Sequence, residues 1–362
     1  MTAVGSSKVI SNREIFYLVF LLQQSGMFWL LPYFLVRGNG TLGIAAIFGG
    51  LLAAIGIILV GHCRVSHIAE IEFMTALRQG HKVLGTVIGS ILCLLYLTFA
   101  TLILYSLVDV MQKQLLTETP RIVLCAVTVL LAGWLSKGGL ESIVRLNMLC
   151  TGALFIMMIT SAAGTMDLFT VENALPLRIN NTVQFEEAVL QSIFCYSGLL
   201  AVFMLYPASK ERQSLYLTLG KAVGAGMFVT ILWTVYALCI LGEYSLQTVL
   251  WIPVHLARMV QIGTLLDQVE SLFIVLWMTM VMTSGSLFLW CSAMGVQQLI
   301  GRQKAEWLLA AVLWIVFFGM MALHNTMGLL QAELILAKWM VAVLPILLFA
   351  VVWLIPKRRA GQ

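Results

Sequence analysis

Apolar residues run along this chain in long, nearly unbroken blocks, without the regular polar positions that would keep one face of a helix or strand in water. Blocks of roughly 17 residues or more cover about 14–35, 41–61, 83–111, 121–136, 143–163, 187–206, 219–241, 268–299, 305–323 and 339–356. Each reads as a helix crossing a bilayer, because in lipid a helix satisfies its own backbone N–H and C=O groups. The pattern therefore predicts an all-α integral membrane protein of about ten transmembrane helices, with residues 1–362 forming one polytopic domain. The fourth block is short, and the third and eighth are long enough to tilt or to extend past the membrane.

Two blocks are interrupted in mid-span. The first carries Gln23-Gln24-Ser25-Gly26-Met27-Phe28-Trp29-Leu30-Leu31-Pro32, and the sixth carries Cys195-Tyr196-Ser197-Gly198, with Pro207 near its end. Paired Gly/Pro interruptions at corresponding places in two halves point to a binding site at the bilayer midplane. Split five plus five, the halves make segment one correspond to segment six. Since five is odd, the second half inserts upside down. The expected organisation is a 5+5 inverted repeat with helices 1 and 6 broken: about 11–165, then about 183–325, completed by helix 10 at about 339–356.

Polar punctuation frames the blocks. Ser11 and Glu14 form a capping box before the first. Thr119-Pro120 places a cap residue before a proline at the first helical position of the fourth. Pro253 through Gly263 predicts a short helix between blocks seven and eight, with Thr264 to Asp267 capping the next. Of the 21 Lys and Arg, fifteen fall on one set of alternate connections and six on the other: Arg37, Lys113, Arg121, Arg178, Arg258 and Lys338. The positive-inside rule then puts both termini in the cytoplasm.

Composition agrees: 61% of the 362 residues are hydrophobic and 10% charged. The net charge of +5 is accounted for by topology, and no nucleic-acid partner is implied. Seven cysteines without a C-x-x-C pair read as small buried hydrophobes, neither a disulfide framework nor a metal site. The N-terminal residues lack the apolar core and cleavage site of a signal peptide.

Several stretches carry a resemblance. They are Ile10 to Arg13, Leu115 to Pro120, Gly138 to Arg145, Leu256-Ala257-Arg258 through Ile262-Gly263 to Asp267–Phe273, then Trp277 and Ala293 to Gly301. In this order and spacing the chain resembles the spore germination permease-like family, the B subunits of germinant receptors (GerAB type), within the amino acid/polyamine/organocation transporter superfamily. The resemblance implies a LeuT/APC-like fold and a subunit that senses a small germinant, an amino acid by preference, to trigger germination. It also implies a larger membrane A subunit and a lipid-anchored C subunit as partners, in the spore inner membrane. The chain departs from the family at Leu199, where relatives often carry an acidic residue. The competing class is a secondary transporter for an amino acid or amine, coupled to sodium or protons.

Candidate ligand-binding residues are Gln24, Ser25, Gly26, Met27, Tyr196, Ser197 and Gly198 at the breaks, Thr98 and Thr101 on segment three, and Trp277 on segment eight. At a broken helix, free N–H groups attract a carboxylate and free carbonyls attract an amine or cation. Close helix packing through small residues is the alternative reading. Thr283 and Ser284 are candidate cation ligands, because sodium-coupled members of the resembled superfamily use neighbouring hydroxyls on the eighth helix. Bonding back to their own helix is the commoner use of such hydroxyls. Asp109 and Glu270 fall near helix ends, and a proton relay lacks a mid-depth acid or histidine. No nucleophile with a base, phosphate loop or paired-carboxylate site is present, so no enzyme, catalytic residue or cofactor is expected.

The charge pattern predicts that cysteines substituted at Lys8, Arg78, Lys210 and Lys357 are shielded from an impermeant thiol reagent on sealed cells. Cysteines at Arg37, Arg178 and Arg258 should be labelled. Labelling of the first group from outside would reverse the orientation.

Overall fold

The computed structural model describes residues 10–27, 35–36, 41–66, 72–175, 182–249, 251–260, 269–301, 306–323 and 325–355, and these are almost entirely helical. In chain order the helices are α1 (Asn12–Met27), α2 (Ile47–Val60), α3 (Phe73–Gly80), α4 (Lys82–Gln114), α5 (Arg121–Lys137), α6 (Gly139–Gly164) and α7 (Thr182–Ser197). There follow α8 (Val202–Leu205), α9 (Leu215–Thr248), α10 (Ile252–Met259), α11 (Val269–Ile300), α12 (Glu306–Ala322) and α13 (Thr326–Leu354). Every predicted apolar block carries one of these helices. Among the described residues seven helical stretches are long and apolar enough to cross a membrane, while α1, α5 and α12 are shorter. Large apolar side chains such as Leu52 (71% exposed) and Phe349 (72%) cover the outer surface, as a bilayer requires.

Local chemistry sets the helix ends. The Ser11 N–H donates to the Glu14 carboxylate at 2.7 Å, and the Glu14 N–H donates back to Ser11 Oγ at 3.3 Å, which is the predicted capping box. The proline of Thr119-Pro120 sits one place earlier than expected: Pro120 itself holds the cap position and α5 begins at Arg121. Block seven ends where Gly242 takes a φ of +73°, which interrupts α9. The short helix α10 starts with Pro253 in its first turn, while Gly263 and the Thr264–Asp267 cap lie outside the described residues.

The largest correction concerns the last span. Helix α13 begins at Thr326, thirteen residues before the apolar block at 339–356, and so takes Glu333 and Lys338 inside the helix. Lys338 is therefore not a loop cation; it is exposed on the side of the helix.

Helices α4 and α11 pair antiparallel at the centre, and small residues bring them close. A side chain added at Gly89 would meet Leu299, one at Gly295 would meet Cys93 Sγ, and one at Gly285 would meet Leu104, each within 2.5–2.7 Å. Lipid tails are as apolar as side chains, so close approach of this kind, and not hydrophobicity, holds membrane helices together. Helices α2 and α7 cross still more tightly at Gly50. A Cβ there would lie 2.1 Å from the Tyr196 ring and 2.7 Å from the Ser192 backbone oxygen, while the Gly50 N–H donates to Ser192 Oγ at 3.2 Å.

Hydrogen bonds at the two ends of the bundle sort the cations. At one end Ile10 bridges Ser209 as a single strand pair, Arg64 donates to the Ile355 carbonyl, and Arg78 donates to the Leu299 carbonyl. At the other, Lys113 pairs with Asp109, Arg121 donates to the Met320 carbonyl, and Arg258 donates to Gln114. Lys8, Arg37, Arg178 and Lys357 lie outside the described residues.

Because the Ser192 backbone cannot turn aside, Gly50→Ala is expected to destabilise the bundle by about 1–3 kcal/mol. Gly220, with nothing within 4 Å of an added Cβ, should accept Ala without loss. Thermal unfolding of the two variants in detergent checks this. Equal midpoints would show that the α2–α7 crossing is not tight.

Candidate functional site

Around Gly198 the interruption of the sixth span is a change of helix type. Helix α7 ends at Ser197, the backbone tightens into a 3-10 turn over Gly198–Ala201, and α8 follows. Ser197 and Val202 keep right-handed helical angles, so the chain narrows without becoming extended. Altered hydrogen bonding at such a turn frees carbonyls, and the neighbouring helix takes one of them: the Tyr96 hydroxyl donates to the Leu200 carbonyl at 2.9 Å. Beside it, Phe99 stacks on Phe194 (5.2 Å) and Phe288 (5.1 Å), and a Cβ at Gly198 would lie 3.2 Å from Phe288. One side of the turn is thus an aromatic wall supplied by α4 and α11.

In the first span the helix continues through Ser25 and Gly26 to Met27, and the rest of the predicted interruption, Phe28 to Pro32, lies outside the described residues. The surroundings of Gly26 and the Met27 side chain lie outside the described set, as does Trp29 altogether. Helix α1 packs on α6, α7, α9 and α11 and touches the Gly198–Ala201 turn, which brings the first span against the interruption of the sixth. Gln23, Gln24 and Ser25 are all buried. Ser25 bonds back to the Leu22 carbonyl, and Gln24 Nε2 donates to the Gly226 carbonyl at 3.1 Å. Gly226 makes the room: a Cβ there would stand 2.2 Å from Gln23 Oε1.

Several buried polar atoms on α1 and on helices packed against it lack described partners. Both amide atoms of Gln23, Oε1 of Gln24, Oδ1 of Asn147, Nε2 of Gln191, the Tyr196 hydroxyl and Oγ of Ser284 are buried without a hydrogen-bond partner among the described residues. They lie on α1, α6, α7 and α11; α1 packs on the other three, and α6 on α11. Each orphan costs about 1–3 kcal/mol unless a guest molecule or water satisfies it.

The sequence-chosen residues divide accordingly. Gln24, Ser25, Tyr196, Ser197 and Gly198 belong to the spans that meet. Tyr196 packs its ring on Gly50, and Ser197 bonds to the Phe194 carbonyl. Trp277 is wholly buried, in the same core cluster as Phe20, Leu21 and Trp233. Thr283 donates to the Met280 carbonyl at 2.8 Å, whereas its neighbour Ser284 is an orphan. Thr98 and Thr101 are not brought in. Helical geometry turns Thr98 away from the Tyr96–Phe99 face, Thr101 lies against Gly319 of α12, and both hydroxyls donate to their own helix.

Sequence reasoning missed Gln23 as a separate candidate, and Asn147, Gln191, Gly226, Tyr96 and Phe288 altogether. A second glutamine beside Gln24 was the only local signal. The others read as ordinary polar, small or aromatic residues until packing aligns them.

Comparison with known proteins gives two kinds of match. The profile of the family described as spore germination protein matches residues 9–327. Among solved structures, Mhp1, a nucleobase-cation-symport-1 family transporter in a closed conformation with bromovinylhydantoin bound, is 15% identical, with a TM-score of 0.63 over 95% of this chain and 78% of that one. A substrate-bound, outward-open Na+-coupled sialic acid symporter is 12% identical, with a TM-score of 0.57 over 93% of this chain and 77% of its own. Mhp1 facing inward is 12% identical, with a TM-score of 0.54 over 99% and 78%. The fold is thus that of LeuT-like symporters. No curated protein matches the chain.

If the orphans serve a guest and not the fold, replacing one with an apolar residue should leave stability unchanged or higher, since a desolvation cost disappears. Gln23→Leu is therefore expected to unfold in detergent at or above the wild-type temperature. A marked drop would show that Gln23 has a structural partner.

Proposed function

The chain belongs to the spore germination protein family, and from that premise we propose that it is the membrane-embedded B subunit of a spore germinant receptor. The observation that carries the reading is the set of buried, unpaired side chains on α1, α6, α7 and α11, beside the Gly198 turn. A small molecule with both a donor and an acceptor end, an amino acid above all, matches that set. The Gln23 and Gln24 amides and Ser284 would meet its polar groups, with the Gly198 turn and Trp277 as walls. Binding there favours whichever arrangement of α1 and α7 pairs these atoms best, and so shifts the population of bundle conformations. An A subunit and a lipid-anchored C subunit would read the shift in the spore inner membrane, with both termini of this chain in the cytoplasm.

A second reading, a permease for an amino acid or amine, draws on the likeness to symporters. If a sodium ion is coupled, Thr283 and Ser284 are the adjacent hydroxyls that would hold it, and Ser284 still has its full hydrogen-bonding capacity. The ion would supply charge to balance an anionic guest group.

Spores carrying Gln23→Leu or Ser284→Ala, exposed to the common L-amino acids, should need at least tenfold more germinant. Membrane abundance and copurification of the partner subunits should be unchanged. Normal sensitivity in both variants would remove the site. Concentrative, sodium-dependent amino acid uptake by proteoliposomes of this chain alone would favour the permease.

A further inference from the structure

Glu333 is an acidic residue that the hydropathy pattern hides. It precedes the last apolar block and reads as a loop carboxylate, yet it stands two turns inside α13 and is only 9% exposed. Helix α13 lies against α7, and Cys195 of α7 is within electrostatic range of Glu333, three residues before Gly198. The carboxyl therefore faces the last turn of α7, the turn that leads into the change of helix type at Gly198.

No described residue supplies it with a counter-charge. From α7 the groups are Cys195 and Tyr196, with Glu186 and Glu187 two turns nearer the start of that helix, and all of these are neutral or acidic. Helix α2 has no titratable residue. On α4, Lys113 is paired with Asp109, which also accepts from Thr326 at the start of α13. On α3, Arg78 donates to the Leu299 carbonyl at the far end of the bundle. On α13 itself Lys338 is exposed and lies five residues on, which turns it well away from Glu333. A carboxylate in such a place is costly, and a carboxylic acid far less so.

We propose that Glu333 is a proton-binding site that ties the packing of α13 on the α7 break to pH. With the interface closed, the carboxyl keeps its proton. When the interface opens to water it releases that proton to solvent, and closing takes one back. Rising pH therefore favours the open arrangement, and falling pH the closed one. The inference adds a coupling ion to the function proposed above. It stands on the burial of Glu333 and not on the identity of the germinant, so its failure would leave the orphan-lined site in place.

The test uses the full chain in nanodiscs, with the proton as probe. At neutral pH the infrared spectrum should show a protonated carboxyl C=O band that disappears in Glu333→Gln and returns, shifted, in Glu333→Asp. In a background with Cys195 as sole cysteine, its alkylation by a small neutral thiol reagent should rise about a hundredfold per pH unit, one factor of ten for the thiolate and one for opening. Cys63, which is exposed, needs no opening and as sole cysteine should lack the second factor, and Glu333→Gln should remove that factor from Cys195. Wild-type protein without a protonated carboxyl at neutral pH would overturn the proposal, even if the Gln variant fails to accumulate. So would a band that survives in Glu333→Gln, or equal slopes for Cys195 and Cys63.

Discussion

Inside a bilayer no water waits to take a released backbone hydrogen bond, and this single constraint governs how far the sixth span can depart from a helix. The turn at Gly198–Ala201 stays near helical angles, and a tyrosine hydroxyl from the neighbouring helix donates to the Leu200 carbonyl. Tyr96 reaches it because α4 is locked to α11, with Phe99 and Phe288 filling the space beside it. The central pair thus acts as the frame against which an irregular helix is held.

That frame depends on missing side chains more than on large ones. Gly89, Gly285 and Gly295 let α4 and α11 approach, Gly50 lets α2 approach α7, and Gly226 opens a place for the carboxamide of Gln23. The same device therefore serves packing at one depth and buried polarity at another. What separates the two uses is whether the nearby polar atoms find partners. At Gly50 the N–H is bonded to Ser192; at Gly226 the Gln23 amide has no described partner.

A ligand tips a protein between two arrangements only by binding one of them better than the other. Unpaired buried groups supply such a difference, because a guest that pairs them stabilises only the arrangement in which they converge. Their placement on α1, α6, α7 and α11, helices from both halves of the chain, means that one molecule bound among them would act on both halves together.

The sequence by itself determined the class of the protein. Ten apolar blocks, the Ser11–Glu14 box, the short helix after block seven and the mid-span weakness at Ser197-Gly198 were all legible, because each depends on residues close in the chain. Of the predicted cation separation, Arg64 and Arg78 fall at one end of the bundle and Lys113, Arg121 and Arg258 at the other. Only the tertiary structure decided which polar residues matter. Asn147, Gln191 and Gly226 have no local signature, and Thr98 and Thr101 looked equally suited but turn away, because facing is set by how distant helices pack. Glu333 shows the limit most plainly. Hydropathy averages over a window and placed it outside the membrane, whereas helix α13 starts earlier, and burial against α7, more than a hundred residues back in the chain, makes that acid part of the interior.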